Sequence, residues 1–467
     1  MTTTNPRSIS DVLADFVANL QAQQIPAPVR ERARHLILDA VGIAHASTHY
    51  EFAHRSLSAM SELSGGAGDT PVIGLAAKLS MRDAMLMNGI LIHGLDYDDT
   101  HAQGVIHATA STFPCAMGAA AKAGVDGDTL LTAYVAGMEV GARLASVARG
   151  GFHQVGFHPT GLIGAFACTL VVGRLFGLSA AQLTMAQGIA LSVASGSMEF
   201  LQDGAWTKRM HPGWAAVAGV TAATLARHGF KGPAHAYEGR FGVFNSYLGP
   251  LAHDCDLSRA TAGLGEIWEV ANVTVKPLPA CHFTHACADA AAILRERHGI
   301  VATDIRSVRA LVPAEVVKTV CEPVATKKRP QNSYDAQFSI PYTVATALLK
   351  GGFGLADLEE SALHDKQVLA LANKVEYAVD PDSPFPRYYS GEVIVTLNDG
   401  RELRHREQMN RGAAERPIVN IDVERKFIEN MQLVTTPARA TQVRDLVLGI
   451  DHTTAAADLQ RGLAARG

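Results

Sequence analysis

Three windows, 161–176, 183–198 and 214–225, consist so largely of Ala, Gly, Ser, Thr and aliphatic residues that no face of a helix built from them is polar. Segments apolar all round belong inside a large core or a membrane. Arg174, Gln187 and Glu199 interrupt them, and they fall short of the roughly 20 consecutive apolar residues of a membrane span. They therefore read as helices buried in a core built around small side chains. A chain of 467 residues with 48% hydrophobic residues is long enough to bury such a core and to form two or three structural units.

From 11 to about 262 the apolar residues recur at three- and four-residue spacing, a helical pattern almost throughout. Helix starts are marked by Pro28, by Asp128 ahead of 129–145, and by the Ser179/Gln182 capping box. Gly137 and Gly141 permit close helix approach, and no fixed-period repeat is present. Near Glu266 the character changes. Runs 270–275, 305–312 and 392–397 are β-branched, 286–297, 336–349 and 355–363 look helical, and Asp399-Gly400 ahead of 401–404 signals a two-residue hairpin. Helical pattern returns at 423–431, 439–448 and 454–464. The expectation is a mainly α protein with an α+β part: a large all-helical domain from 1–265 and 410–467, and a smaller α+β domain at 266–409. Clefts beside such an insert are favoured ligand sites.

With 41 basic and 45 acidic residues the net charge is −4, which offers no general attraction to nucleic acid or to an anionic membrane. The N-terminal run 1–8 is polar without the order of a signal peptide, so the expectation is a cytoplasmic chain with no leader. Six cysteines include no CxxC pair and no iron–sulfur run.

Asp96, Asp98, Asp99 and His101 crowd into the stretch 96–101, directly after the helical pattern 81–92, and the whole run from His93 to His101 is expected to form part of an active site. Such density requires a cation or a hydrogen-bond network to offset self-repulsion. One reading is a helix-terminal loop; another is a divalent metal site using Asp96, Asp99, His101 and His107. His158 stands before Pro159 at a helix start, a position suited to anion binding or proton transfer. Lys208 with Arg209 and His211, and Lys276 with His282, lie beside proline-bearing turns, where an ammonium is a surface charge or a grip on a substrate carboxylate. The run from Cys281 to Cys287 has zinc-like spacing but lacks a second cysteine-rich half. Pro341 fits only near a helix start, placing Ser339 and Tyr342 at that start, with Tyr342 either packed or a hydrogen-bond donor.

In this order the segments resemble the MmgE/PrpD family, over about 9–463. The carriers are Leu-Asp-Tyr-Asp-Asp-Thr at 95–100, Phe-His-Pro at 157–159, Lys-x-x-His-x-Gly at 208–213, Lys-Pro-x-Pro-x-Cys-His at 276–282 and Phe-Ser-Ile-Pro-Tyr at 338–342. The resemblance implies a helical domain with an α+β lid, a homodimer, no metal or organic cofactor, and acid–base chemistry on a small polycarboxylate. It places Asp96, Thr100, His107, His158, Lys208, Lys276 and Tyr342 in the pocket, with His101 as the alternative to His107. His211, His282 and Ser339 are further substrate-binding candidates. Lys208 and Lys276 would bind carboxylates, His158 and His107 would exchange protons, and Tyr342 would assist. Asp96 and Thr100 would orient the imidazoles, while Asp98 and Asp99 would be structural caps.

The expected activity is a hydro-lyase acting on a hydroxy-tricarboxylate such as 2-methylcitrate. Epimerisation of a dicarboxylate such as iminodisuccinate and decarboxylation of an aconitate-like acid are the alternatives. A metal-binding protein using the Asp/His cluster is the non-enzyme alternative.

Overall fold

A computed structural model describes residues 7–413 and 415–465. Of the N-terminal run 1–8, residues 1–6 lie outside the described residues. The chain is mainly helical and divides into two compact units. The first comprises 1–198, 207–275 and 419–467, and the second 199–206 and 276–418.

The first unit is built from helices whose small residues let backbones meet. Its central helix, Pro159–Leu175, is buried at every position except Arg174, as an all-round apolar segment must be. Thr207–Arg227, Ala108–Ala123 and Gly127–Val147 pack around it. Met81–His93 packs on Thr207–Arg227 through glycines: a Cβ on Gly89 would sit 2.5 Å from Gly213 Cα, and one on Gly213 would sit 2.3 Å from the Leu86 carbonyl oxygen. The C-terminal helix Asn420–Gln432 lies on Ala27–Ser47, where a Cβ on Gly42 would meet the Phe427 ring at 2.8 Å. No helix among the described residues is long and apolar enough to cross a membrane.

The second unit carries a four-stranded mixed sheet in the order 375–379, 305–312, 391–397, 402–407, parallel in the first pair and antiparallel in the others. Helices His282–His298 and Ile340–Lys350 pack on it and on each other.

Several local expectations are corrected. The Gly127–Val147 helix is capped by Asp126, whose side chain accepts from Thr129 N–H, and not by Asp128. Of the run 270–275, residues 269–272 form a 3-10 turn and only Val273–Thr274 is a strand. The run 336–349 is two helices, Ser333–Gln337 and Ile340–Lys350, because Ser339 leaves helical geometry to cap the second through Tyr342 N–H. The Asp399-Gly400 hairpin has three loop residues: Gly400 N–H donates to Leu397 C=O, Leu397 N–H donates to Arg401 C=O, and Gly400 takes φ 91°, the bulge form of the hairpin.

Burying so many helices also buries ionisable groups. The Lys426 ammonium lies 2.7 Å from the Asp39 carboxylate and 3.7 Å from the Tyr97 ring centroid. Thr109 donates to Asp99 and accepts from Tyr134 hydroxyl at 2.6 Å. Burial, reinforced by Asp98 and Asp39, pushes the Asp99 carboxyl up to about 7.

Two outcomes follow from this packing. Gly213→Ala lowers stability by about 1–3 kcal/mol, because the obstacle is helix backbone that cannot rotate away; the shift in unfolding midpoint measures it. In the fold Asp99 keeps its proton to about pH 7, whereas unfolded it loses it near 3.8, so between these values folding takes up a proton. Relative to Asp99→Asn, the wild type should therefore lose stability as pH rises through that window and hold constant above it. A stability difference that is flat or rising from pH 4 to 7 contradicts this.

Candidate active site

His93 is the last residue of the Met81–His93 helix, and the chain then turns sharply. Gly94 lies so close to Phe52 that a Cβ would meet its ring at 2.3 Å, and Asp96 has φ 48°, the left-handed region that Asp tolerates better than most residues. Thr100–His101 then pairs antiparallel with Val273–Thr274. Asp96, Asp98, Asp99, Thr100 and His101 are all at most 2% exposed, so each polar group has to be matched inside the protein. The Lys208 ammonium lies 2.9 Å from Asp96 Oδ1, and Asp98 Oδ2 lies 2.8 Å from His93 Nδ1. Asp99 Oδ1 also accepts from Thr109 N–H in the first turn of Ala108–Ala123, so this acid caps a helix as expected of its type.

Around this turn three imidazoles meet. Ring centroids lie 5.0 Å apart for His93 and His107, 5.6 Å for His93 and His158, and 5.8 Å for His107 and His158. His107 precedes the Ala108–Ala123 helix; its N–H donates to Thr160 Oγ1 at 3.0 Å. Its Nδ1 lies 2.7 Å from the Asp99 carbonyl oxygen and 3.1 Å from Thr100 Oγ1. His158 precedes Pro159, and its N–H donates to Gly196 C=O at 2.8 Å. His211, three residues after Lys208 on Thr207–Arg227, places its Nδ1 3.0 Å from His158 Nδ1.

The site is electrostatically hostile to further positive charge. Burial first, then Lys208 and the imidazoles of His211, His93 and His107, hold His158 well below the usual histidine range. Burial, with His93 and Lys208, pushes His211 down to about 3. Burial and Lys208 do the same to His153, to about 3. These imidazoles are neutral at physiological pH until something anionic arrives.

The structure thus brings Asp96, Thr100, His107, His158, Lys208 and His211 together in the first unit. It leaves His101 outside the ring cluster: its Nε2 lies 2.9 Å from Glu269, whose carboxyl that hydrogen bond holds down to about 2, and its Nδ1 accepts from Gly104 N–H. Asp96 contacts Lys208, so it orients the ammonium directly. Asp98 is no helix cap, because its carboxylate holds an imidazole. The proposed ligand set Asp96, Asp99, His101 and His107 is not assembled, and neither is a set within 281–287; the described residues gather His93, His107 and His158, or His93, Asp96 and Asp98.

In the second unit Lys276 is fully buried, and Asn410 Nδ2 donates to His282 Nε2 at 2.9 Å. Ser339 caps its helix and donates to Lys327 C=O. Tyr342 is fully buried, and its hydroxyl lies 3.0 Å from Asp357 C=O and 3.1 Å from Ala362 C=O. Its one proton is directed at these carbonyls, the contacts of a packed tyrosine. Sequence reasoning included His93 in the stretch 93–101 without giving it a role of its own, and overlooked His153. The available signal for His93 was its place closing a helix, five residues before Asp98.

Curated proteins similar over nearly the whole chain include cis-aconitate decarboxylase from Homo sapiens, 28% identical over 91% of this chain and 88% of that protein. Cis-aconitate decarboxylase from Aspergillus terreus is 26% identical over 96% and 94%. The 2-methylcitrate dehydratase of Escherichia coli strain K12 is 25% identical over 84% and 83%. Residues 11–255 match the MmgE/PrpD N-terminal domain and residues 278–451 the MmgE/PrpD C-terminal domain. With both domains matched in order over most of its length, the chain belongs to the MmgE/PrpD family.

Proposed function

We propose that the protein is an acid–base lyase that decarboxylates a cis-aconitate-like tricarboxylate. The observation that carries this reading is the buried cluster of His93, His107 and His158 beside the Lys208–Asp96 pair. The nature of the relatives supports the choice of reaction: the similarity to cis-aconitate decarboxylases covers more of the chain than that to 2-methylcitrate dehydratase. The hydro-lyase expectation accordingly becomes the second reading.

Decarboxylation breaks a carbon–carbon bond and leaves its electron pair on carbon. The pair is stabilised by conjugation toward a neighbouring carboxylate, and a proton must then reach carbon. A trianion and one proton become a dianion and carbon dioxide. Lys208, held in place by Asp96, would bind a carboxylate and lower the cost of the developing carbanion. His158 and His107 would deliver and recover the proton, with Thr100 and the Asp99 carbonyl fixing the His107 ring. Lys276 enters from the family resemblance as a second carboxylate-binding ammonium, which Lys276→Ala tests by a rise in KM. The homodimer implied by the same resemblance is tested by light scattering, against a chain mass of 49.5 kDa.

The depressed pKa of His158 has a consequence for substrate binding. A polyanion arriving at neutral imidazoles raises their pKa, so binding takes up a proton and affinity falls as pH rises through the window between the free and bound values. Isothermal titration in two buffers of different ionisation enthalpy reads that uptake directly.

Incubation with cis-aconitate in deuterated buffer tests the reaction. Carbon dioxide release with one deuterium retained on carbon is expected, and His158→Gln or His107→Gln should lower kcat by about 10²–10⁴. Alkene formation from 2-methylcitrate in place of carbon dioxide release would favour the hydro-lyase, and exchange without net turnover an epimerase. Neither exchange nor turnover with any polycarboxylate would refute the acid–base reading itself.

A further inference from the structure

Each ring of the imidazole cluster is anchored through its Nδ1 atom. His93 Nδ1 is held by Asp98, His107 Nδ1 by the Asp99 carbonyl oxygen and His158 Nδ1 by His211. A carboxylate and a carbonyl oxygen only accept, so whenever His93 or His107 carries a single ring proton it sits on Nδ1 and leaves the lone pair on Nε2. The Nε2 atoms of His93 and His158 are buried and have no hydrogen-bond partner among the described residues. One ring nitrogen from each of His93, His107 and His158 lies within 4.8 Å of the other two. Lone pairs brought together in a dry volume call for an electron-poor centre among them.

We propose that His93, His107 and His158 form a binding site for a borderline divalent cation of the Zn²⁺ class, with Asp98 and the Asp99 carbonyl holding the rings from outside. Three imidazoles with a fourth position open to solvent or ligand are a donor set that zinc accepts, and imidazole suits this class of metal better than Ca²⁺ or Mg²⁺. The outer partners are of the kind that fixes the tautomer of a metal-binding imidazole and raises its basicity. The carboxylates of Asp96 and Asp98 offset the repulsion that the Lys208 ammonium exerts on such an ion. Nitrogens bound at about 2.0–2.1 Å in a tetrahedral set lie roughly 3.4 Å apart, so the rings draw inward by about an ångström on binding.

The bound ion would occupy the lone pairs that proton transfer requires, making it an inhibitor of the lyase. This second half rests on the proposed function, whereas the binding half does not.

Titrating metal-free protein with Co²⁺ reads the binding half without substrate. One equivalent should bind and develop the visible absorption of a low-symmetry, four-coordinate Co²⁺ site, and Zn²⁺ should displace it. His93→Gln and Asp98→Asn should each weaken binding, the latter by about 10–100-fold, with the circular-dichroism spectrum checked for both. Cys255→Ser should leave binding unchanged, which controls for the one cysteine that is not fully buried. Absence of a stoichiometric Co²⁺ complex in the wild type overturns the proposal without recourse to any variant. So does binding that survives in His93→Gln, or that is lost in Cys255→Ser. If the metal binds through these histidines yet turnover is unaffected, the site stands and the assignment of His107 and His158 to proton transfer fails.

Discussion

The contact of Gly89 with Gly213 is the constraint on which the geometry of the imidazole cluster depends. It brings the Met81–His93 and Thr207–Arg227 helices to backbone contact, a distance that no side chain larger than hydrogen allows. His93 follows Gly89 by one turn, and the chain beyond it swings Asp96 inward. On the other helix Lys208 and His211 precede Gly213 within a turn and a half. Widening this contact by a methyl group would separate Lys208 from Asp96, an interaction whose present length is 2.9 Å. Helix packing and site electrostatics are therefore one problem in this unit. The glycines that make the core apolar and dense are also what bring charges on different helices within hydrogen-bonding distance.

Such charges could not be left alone. Removing one partner of a buried ion pair leaves the other uncompensated, a loss of about 3–5 kcal/mol, although a well-packed apolar pair is often no less stable. The Lys208–Asp96 and Lys426–Asp39 pairs are both almost fully buried, so their retention argues for a use beyond stability in at least one of them. Lys426 sits on Tyr97 and donates to its carbonyl oxygen, tying down the chain between Asp96 and Asp98. Lys208 stands among imidazoles instead, where its charge adds to burial in holding His158 and His211 below the usual histidine range. One pair shapes the turn and the other sets its electrostatic character.

Much of this was legible in the sequence where the signal was local. The apolar windows 161–176 and 214–225 lie in central helices, whereas 183–198 is helical only to Ala190; the Ser179/Gln182 box marked a start, and the β-branched run 305–312 matched a strand residue for residue. What failed depended on partners distant in sequence. Val375–Val379 went unread because its five residues, flanked by charge, acquire strand geometry only by pairing with Ile305–Val312. The choice between His101 and His107 could not be made from spacing: Glu269, 168 residues away, claims His101. Tyr342 occupied a suggestive position at a helix start, yet its hydroxyl direction is set by carbonyls at 357 and 362. His93 followed the helical pattern 81–92 with no role of its own, since nothing local reveals that two other imidazoles converge on it.

The convergence also explains how one site could serve the proposed proton chemistry and also hold the proposed metal. Both uses need imidazoles that are neutral when the site is empty, with fixed tautomers and lone pairs turned inward. What separates them is the charge of the visitor. A polycarboxylate brings negative charge, so it stabilises a proton on His158 and converts an acceptor into a donor. A divalent cation brings the opposite sign and locks the same nitrogens as acceptors. The Lys208 ammonium tips the balance, attracting the first visitor and repelling the second, while Asp96 and Asp98 temper that preference from the other side. The ratio of lysine to carboxylate around the imidazoles, more than the imidazoles themselves, is thus the quantity that decides between acid–base catalysis and metal capture.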